Sequence, residues 1–254
     1  MENGDDANVR ALRRSILSIA FNAQEGHVPS AMSIVEPLYV VFRDWDVGEG
    51  GSDSFILSKG HGCLALYAVL GNLGLVSPED MKSLGSSKGI LGGHPDMRKV
   101  PGVLASTGSL GHGFPMAVGL AYSKRHFSGS GTVFALLGDG ECNEGAIWEA
   151  ALLASTHGLS NLVAWIDFNH SGDRALSLEP LAEKWAAFGF RVLEVDGHDI
   201  QEIERALMLV GDAPTAIIAH ATKGKGVSFM ENAPAWHHSV LDEDSFEIAM
   251  KELS

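Results

Sequence analysis

Basic residues are scarce in this 254-residue chain: 18 lysines and arginines stand against 32 aspartates and glutamates, a formal net charge of −14 at pH 7. Nucleic acid is thereby excluded as a default partner, because the overall field repels phosphate. A locally basic pocket for a phosphorylated small molecule stays open. Cysteine is scarcer still: Cys63 and Cys142 cannot build a disulfide framework, so a reducing, cytoplasmic setting is expected. No run of about 18 apolar residues occurs, and no membrane-spanning helix is expected. The acidic start Met1–Asp6 is the opposite of a secretory leader. Repeats, low-complexity tracts and linkers are missing as well. The length suits one large domain, taken as residues 1–254.

Glycine, by contrast, is plentiful and unevenly placed. It clusters in Ser58-Lys59-Gly60-His61-Gly62, Gly92-Gly93-His94-Pro95, Thr107 to Gly113, and Gly138-Asp139-Gly140. One such run marks a turn; four, with His, Asp and Ser interleaved between apolar stretches, suggest loops converging on a ligand.

Helical spacing runs from Asn8 to Ala23 through Val9, Leu12, Ile16 and Ile19. A second helix is expected over Ser33 to Phe42, kinked at Pro37. Phe55-Ile56-Leu57 is a short apolar run ending at a glycine turn, and Cys63 to Leu73 reads as a helix. Ser77-Pro78 has the form of a helix start. From there strand and helix alternate: strands at Thr132–Leu137, Asn161–Ile166, Arg191–Val195 and Thr215–Ala219, helices at Glu144–His157, around Pro180–Phe188 and at Ile200–Val210. This pattern predicts an α/β fold, a parallel sheet covered by helices on both faces, with ligands at the carboxyl ends of the strands.

Gly138-Asp139-Gly140 falls at such an end. Asp139 offers the hard oxygen that Mg²⁺ prefers, and the flanking glycines let backbone amides approach a phosphate at the start of the next helix. Asn169, thirty positions after Asp139, ends the following strand beside it and can supply a second oxygen. Gly-Asp-Gly alone is a common turn; the paired Asn169 makes the signal far more specific.

Together these residues, Gly138-Asp139-Gly140 and Phe168-Asn169 with 27 residues between them, resemble the thiamine diphosphate motif. Four histidine segments, Gly26-His27-Val28-Pro29, Ser58-Lys59-Gly60-His61, Gly92-Gly93-His94-Pro95-Asp96 and Ala235-Trp236-His237-His238, narrow the resemblance to the N-terminal region of transketolase. It extends in order from about Ala11 to about Phe246, through Leu178-Glu179-Pro180, Val195-Asp196-Gly197-His198-Asp199 and Thr222-Lys223-Gly224-Lys225-Gly226.

The resemblance implies thiamine diphosphate and Mg²⁺ as cofactors, with Asp139, Asn169 and the Ser171 carbonyl as metal ligands. It implies that His27 and His237 handle the C3 or acceptor-carbonyl oxygen of a sugar, and that His61 and His94 contact the C1 hydroxyl or the cofactor, His61 near the diphosphate. Such work needs donors and acceptors near neutral pKa around hydroxyls and a developing alkoxide. Gly108, Ser109 and Leu110 correspond to the loop against the aminopyrimidine. Glu144 corresponds to a buried glutamate linking paired sites across a dimer interface. His112 and His238 carry no such implication, and Lys223 and Lys225 are expected to be solvated.

In this family the glutamate that activates the aminopyrimidine, and most arginines that clamp a sugar phosphate, lie in a following domain, which leaves no room before Ser254. The chain is therefore expected to act on a ketose donor together with a separately encoded C-terminal subunit, in an α₂β₂ assembly. The loop after Asn169 is about five residues shorter than is usual in the family, His112 stands in place of a glutamine, and Phe168 in place of Asp or Asn. These departures suit a specialised acceptor. The rival readings are the α subunit of a 2-oxo acid dehydrogenase and a non-catalytic relative.

Overall fold

A computed structural model describes residues 4–25, 27–48, 50–128, 130–174 and 176–254. Of the segments singled out above, Met1 to Asn3, Gly26 and Ala175 lie outside the described residues.

Helix α1 (Gly4–Ala23) turns Val9, Leu12, Ile16 and Ile19 into the core, as their spacing demands. The expected kinked helix is instead two: α2 (Val28–Met32) and α3 (Val35–Asp44). Pro37 sits in the first turn of α3, where its missing N–H costs no hydrogen bond, so no kink is required. Strand β1 (Ser54–Leu57) ends at the turn carrying Lys59 and His61, and α4 (Cys63–Asn72) follows. Helix α5 (Pro78–Lys82) starts as expected, with the Ser77 Oγ accepting from the Asp80 amide at 3.1 Å.

Helix α6 (Gly113–Ser123) was not expected from the pattern, because apolar residues surround it and leave no stripe. The alternating region holds β2 (Val133–Gly138), α7 (Gly145–Thr156), β3 (Leu162–Phe168), α8 (Leu181–Ala187), β4 (Arg191–Asp196), α9 (Ile200–Leu207) and β5 (Thr215–His220). Helix α10 (Glu243–Glu252), also unexpected, opens with a capping box in which Asp242 and Ser245 bond each other's backbone.

The five strands form one parallel sheet in the order β1-β2-β3-β5-β4. Strands β2 and β3 are buried along their whole length, as parallel strands covered on both faces must be. One apolar layer packs α1, α3 and α4 on one face; the other packs Phe114, Ile147 and Trp185 on the opposite face. The register pairs Gly138 with Asp167. Asp139 and Asn169 therefore leave the sheet side by side. Among the described residues no helix is long and apolar enough to cross a membrane.

Candidate functional site

The turns leaving β1, β2, β3 and β5 meet at the carboxyl edge of the sheet around a cleft of about 390 Å³. Its lining includes His27, His61, His94, Leu110, Gly138, Asp139, Gly140, Asn169, Ser171 and His237. Of the residues expected at a site, Gly108, Ser109 and Glu144 do not line it. Gly108 lies directly behind: at φ +146, a Cβ there would stand 3.0 Å from the His94 ring, so only glycine lets the loop back that ring. Glu144 differs from its expected burial. It is exposed in this chain, its Cβ packing against Gly111 at the cap of α7. The buried acid of the motif is Glu141.

Asp139 is 4% exposed, and its two carboxylate oxygens accept from the backbone amides of Gly140 (2.7 Å) and Gly172 (3.2 Å). Gly172 belongs to the loop after β3, and a Cβ on it would lie 2.8 Å from the Gly140 Cα. Glycine facing glycine is what lets that short loop lie on the Gly-Asp-Gly turn. Asn169 directs its Oδ1 toward Ser171, whose backbone amide donates to it at 3.1 Å and whose hydroxyl also donates. The Asn169 amide nitrogen donates to Asp167 Oδ2 at 2.7 Å.

Below this layer sits a buried ion pair that the motif did not announce. Lys59 is 2% exposed; it donates to Asp167, to the Ser30 carbonyl (3.0 Å) and to Ser33 Oγ (3.2 Å). Glu141 Oε1 accepts from Ser58 Oγ (2.5 Å) and the Gly111 amide (3.0 Å), and Oε2 from the Gly138 amide (3.3 Å), tying three loops together. Burial raises the pKa of both Asp139 and Glu141, with the neighbouring Asp167 charge adding to the rise at Asp139.

Three buried carboxylates, Asp139, Glu141 and Asp167, thus share one buried cation, Lys59, and two negative charges are left unmatched. Asp167 Oδ1 is buried with no hydrogen-bond partner. A divalent cation with a preference for oxygen ligands fits this donor set and this charge deficit.

Imidazoles form the opposite wall. His27 stands at the N-terminus of α2 with φ 70. Its ring lies 5.7 Å from those of His61 and His237 and 4.3 Å from that of His238, which carried no expectation. Burial, then the neighbouring His238, lowers the His27 pKa to about 4. Burial, then Lys59, lowers that of His61 to about 2. Both rings are neutral at pH 7, each with one donor and one acceptor nitrogen.

Lys223, expected to be solvated, is instead half-buried and reaches into the cleft. Its Nζ donates to Ser171 Oγ at 3.0 Å and lies 2.6 Å from His237 Nδ1. The loop that carries it is held by His198: Nε2 accepts the Thr222 amide at 2.8 Å, and Nδ1 lies 3.2 Å from Glu36, itself paired with Arg13 at 2.7 Å. Lys225 points to a neighbouring cleft lined by His170, Asp196 and His220.

Comparison with known proteins decides the family. Residues 5–254 match the family described as "Transketolase, thiamine diphosphate binding domain". The chain belongs to the transketolase family. Among curated relatives, one of the two named components of an apulose-4-phosphate transketolase from Phocaeicola vulgatus is 38% identical over 95% of this chain and 91% of its own length. A 6-deoxy-6-sulfo-D-fructose transketolase subunit of a Clostridium species is 38% identical over 90% of this chain and 88% of the relative. The crystal structure of transketolase from Campylobacter jejuni aligns with a TM-score of 0.88 at 28% identity, over all of this chain but 43% of that one. The chain thus has nearly the full length of the relatives named as components and about two fifths of that longer enzyme.

Proposed function

We propose that this chain is the N-terminal, cofactor-holding component of a two-component transketolase, which moves a two-carbon ketol unit from a ketose or ketose phosphate to an aldose or a specialised acceptor. The observation that carries this is the meeting of His27, His61, His94 and His237 in one cleft with Asp139, Asn169 and Ser171. In this reading residues 1–254 act as one unit.

Asp139, the Asn169 amide oxygen and the Ser171 carbonyl hold Mg²⁺, while the Gly138-Asp139-Gly140 turn and His61 receive the diphosphate. When bound, thiamine diphosphate supplies a carbon nucleophile and electron sink that no side chain offers. Gly108, Ser109 and Leu110 back the aminopyrimidine. The imidazoles bind and orient the sugar. His27 and His237 face the C3 hydroxyl of the donor, whose proton must leave as the C2–C3 bond breaks, and the same groups return a proton to the acceptor carbonyl oxygen. His61 and His94 hold the C1 hydroxyl. With His27 and His61 neutral, each nitrogen pair can accept from one hydroxyl while donating to another oxygen.

The partner subunit, read as the C-terminal half in an α₂β₂ assembly, brings the glutamate that polarises the aminopyrimidine. An apolar groove between α6 and α7, lined by Pro115, Val118, Tyr122, Leu153 and Leu159, supports a protein-facing surface on this side. Exposed Met116 and Leu152 belong to the same two helices. The exposed Glu144 at the start of α7 suits burial in that contact.

The test is an assay of the chain with and without a C-terminal transketolase subunit, offered a ketose phosphate or pyruvate as donor. Ketose-dependent turnover of the pair, and none by the chain alone, is expected. Full turnover by the chain alone would end the two-component reading. Use of pyruvate instead would end the ketol-transfer reading in favour of a 2-oxo acid dehydrogenase. Failure of thiamine diphosphate with Mg²⁺ to raise the melting temperature of the pair would mark a non-catalytic relative.

A further inference from the structure

Asp167 stands at the end of the fully buried strand β3, one residue after Ile166 and two before Asn169, and is 0% exposed. A carboxylate placed there with no catalytic task would be a costly way to finish a strand. One of its oxygens, Oδ2, accepts from three donors: the Lys59 ammonium, Ser33 Oγ at 2.8 Å and the Asn169 amide nitrogen at 2.7 Å. The other oxygen is buried and unpartnered. The structure therefore gathers its donors onto the single oxygen that faces Asn169.

An asparagine amide has two ends of similar shape and opposite chemistry. Only Oδ1 can hold a cation; the nitrogen repels one. Here both ends are assigned by their neighbours. Asp167 can only accept, so the nitrogen must face it. The Ser171 amide and hydroxyl both donate to the other end, which must be oxygen. Lys59 and Ser33, themselves bonded to each other and to the α2 backbone through the Ser30 carbonyl, fix Asp167 in turn.

We infer that Asp167 is a positioning residue: it sets the orientation of the Asn169 amide so that the carbonyl oxygen, and not the nitrogen, is presented to the metal site beside Asp139. The inference rests on the Mg²⁺ and thiamine diphosphate reading proposed above. Outer partners of this kind typically alter metal affinity by about 10- to 100-fold.

The conservative and non-conservative variants separate orientation from charge. In Asp167→Asn the carboxamide oxygen still takes the place that Lys59, Ser33 and Asn169 all demand, and its nitrogen falls where Oδ1 is now unpartnered. In Asp167→Ala the acceptor is lost. Both variants remove the charge opposite Lys59, so both lower the melting temperature of the cofactor-free chain.

Calorimetric titration of the full chain with thiamine diphosphate at fixed Mg²⁺, and with Mg²⁺ at fixed thiamine diphosphate, reads the effect. Asp167→Ala is expected to weaken Mg²⁺ about 10- to 100-fold, and Asp167→Asn by no more than a few-fold. Equal losses in the two variants would assign the role to charge and overturn the inference. So would wild-type affinity in Asp167→Ala.

Should both variants fail to fold, Asn169→Asp tests the same geometry with the Lys59–Asp167 pair intact. A carboxylate there faces the Asp167 carboxylate and must swing away, which predicts weaker Mg²⁺ binding. Tighter binding, as expected of one more charged ligand, would overturn the inference. A wild-type chain that binds neither Mg²⁺ nor thiamine diphosphate would instead remove the cofactor reading, and this inference with it.

Discussion

His27 and His238 pack edge to face, their ring centroids 4.3 Å apart, closer than either His61 or His237 comes to His27. His238 is the largest charged influence on His27 after burial, and it lowers the His27 pKa together with His237, His94 and Lys223. No carboxylate is among these influences. His238→Ala is therefore expected to move the His27 midpoint upward from about 4, because one like-charged neighbour is gone while burial persists. An NMR titration of the His27 ring checks this; an unchanged or lower midpoint would show that the ring contact has no electrostatic effect.

His61 makes the cofactor-free chain acid-sensitive. Its pKa falls from the ordinary 6.5 to about 2 on folding. A base with a depressed folded pKa contributes stability that is complete above pH 6.5 and is lost as pH falls toward 2. Within that window each such proton costs about 1.4 kcal/mol per pH unit. His61→Asn should flatten the fall in melting temperature between pH 6.5 and 4. Parallel curves for variant and wild type would refute the assignment.

Glu141 holds the Ser58 hydroxyl and the Gly111 and Gly138 amides. Glu141→Ala leaves three buried donors unpaired, and even one such loss costs about 1–3 kcal/mol. A destabilisation of roughly 3 kcal/mol, or on the order of 10 °C in melting temperature, is expected. Glu141→Gln keeps an acceptor oxygen and should recover at least half of that loss. Denaturant titration of the three proteins measures it.

Asp139 acts in the opposite sense. Its buried charge is disfavoured by burial and by Asp167, as its raised pKa records. Asp139→Asn should stabilise the metal-free chain by about 1 kcal/mol, in the range typical of relaxing a functional site. The same variant should abolish the rise in melting temperature on adding Mg²⁺ with thiamine diphosphate. A less stable metal-free variant would show that the carboxylate is held for the fold.

The parallel sheet was legible because Val133–Leu137 and Leu162–Ile166 are uninterrupted apolar runs between amphipathic helices. Helix α6 was not, since an apolar helix buried on several sides has no periodic face to read. The histidine wall and Asp139 were legible as segments, each beside glycine.

What a linear reading misses is the layer beneath. Lys59 and Asp167 are 108 positions apart and Ser58 and Glu141 are 83 apart; neither pairing has a local pattern. Lys223 looked like a solvated loop residue because nothing near it in sequence shows that Ser171 and His237 wait for it. The clearest missed cue was charge out of place: Asp167 closes an otherwise apolar strand and Lys59 comes just past the end of another.

The buried Lys59 also bears on how the chain meets reagents. Its ammonium is enclosed and all three protons have acceptors in Ser30, Ser33 and Asp167, so no free amine lone pair is offered for acylation. Amine-reactive labels and enzymatic acetylation would pass over this residue in the native chain and find it only once β1 and β3 separate. Its modification, read by mass spectrometry, is a timer for the opening of the sheet.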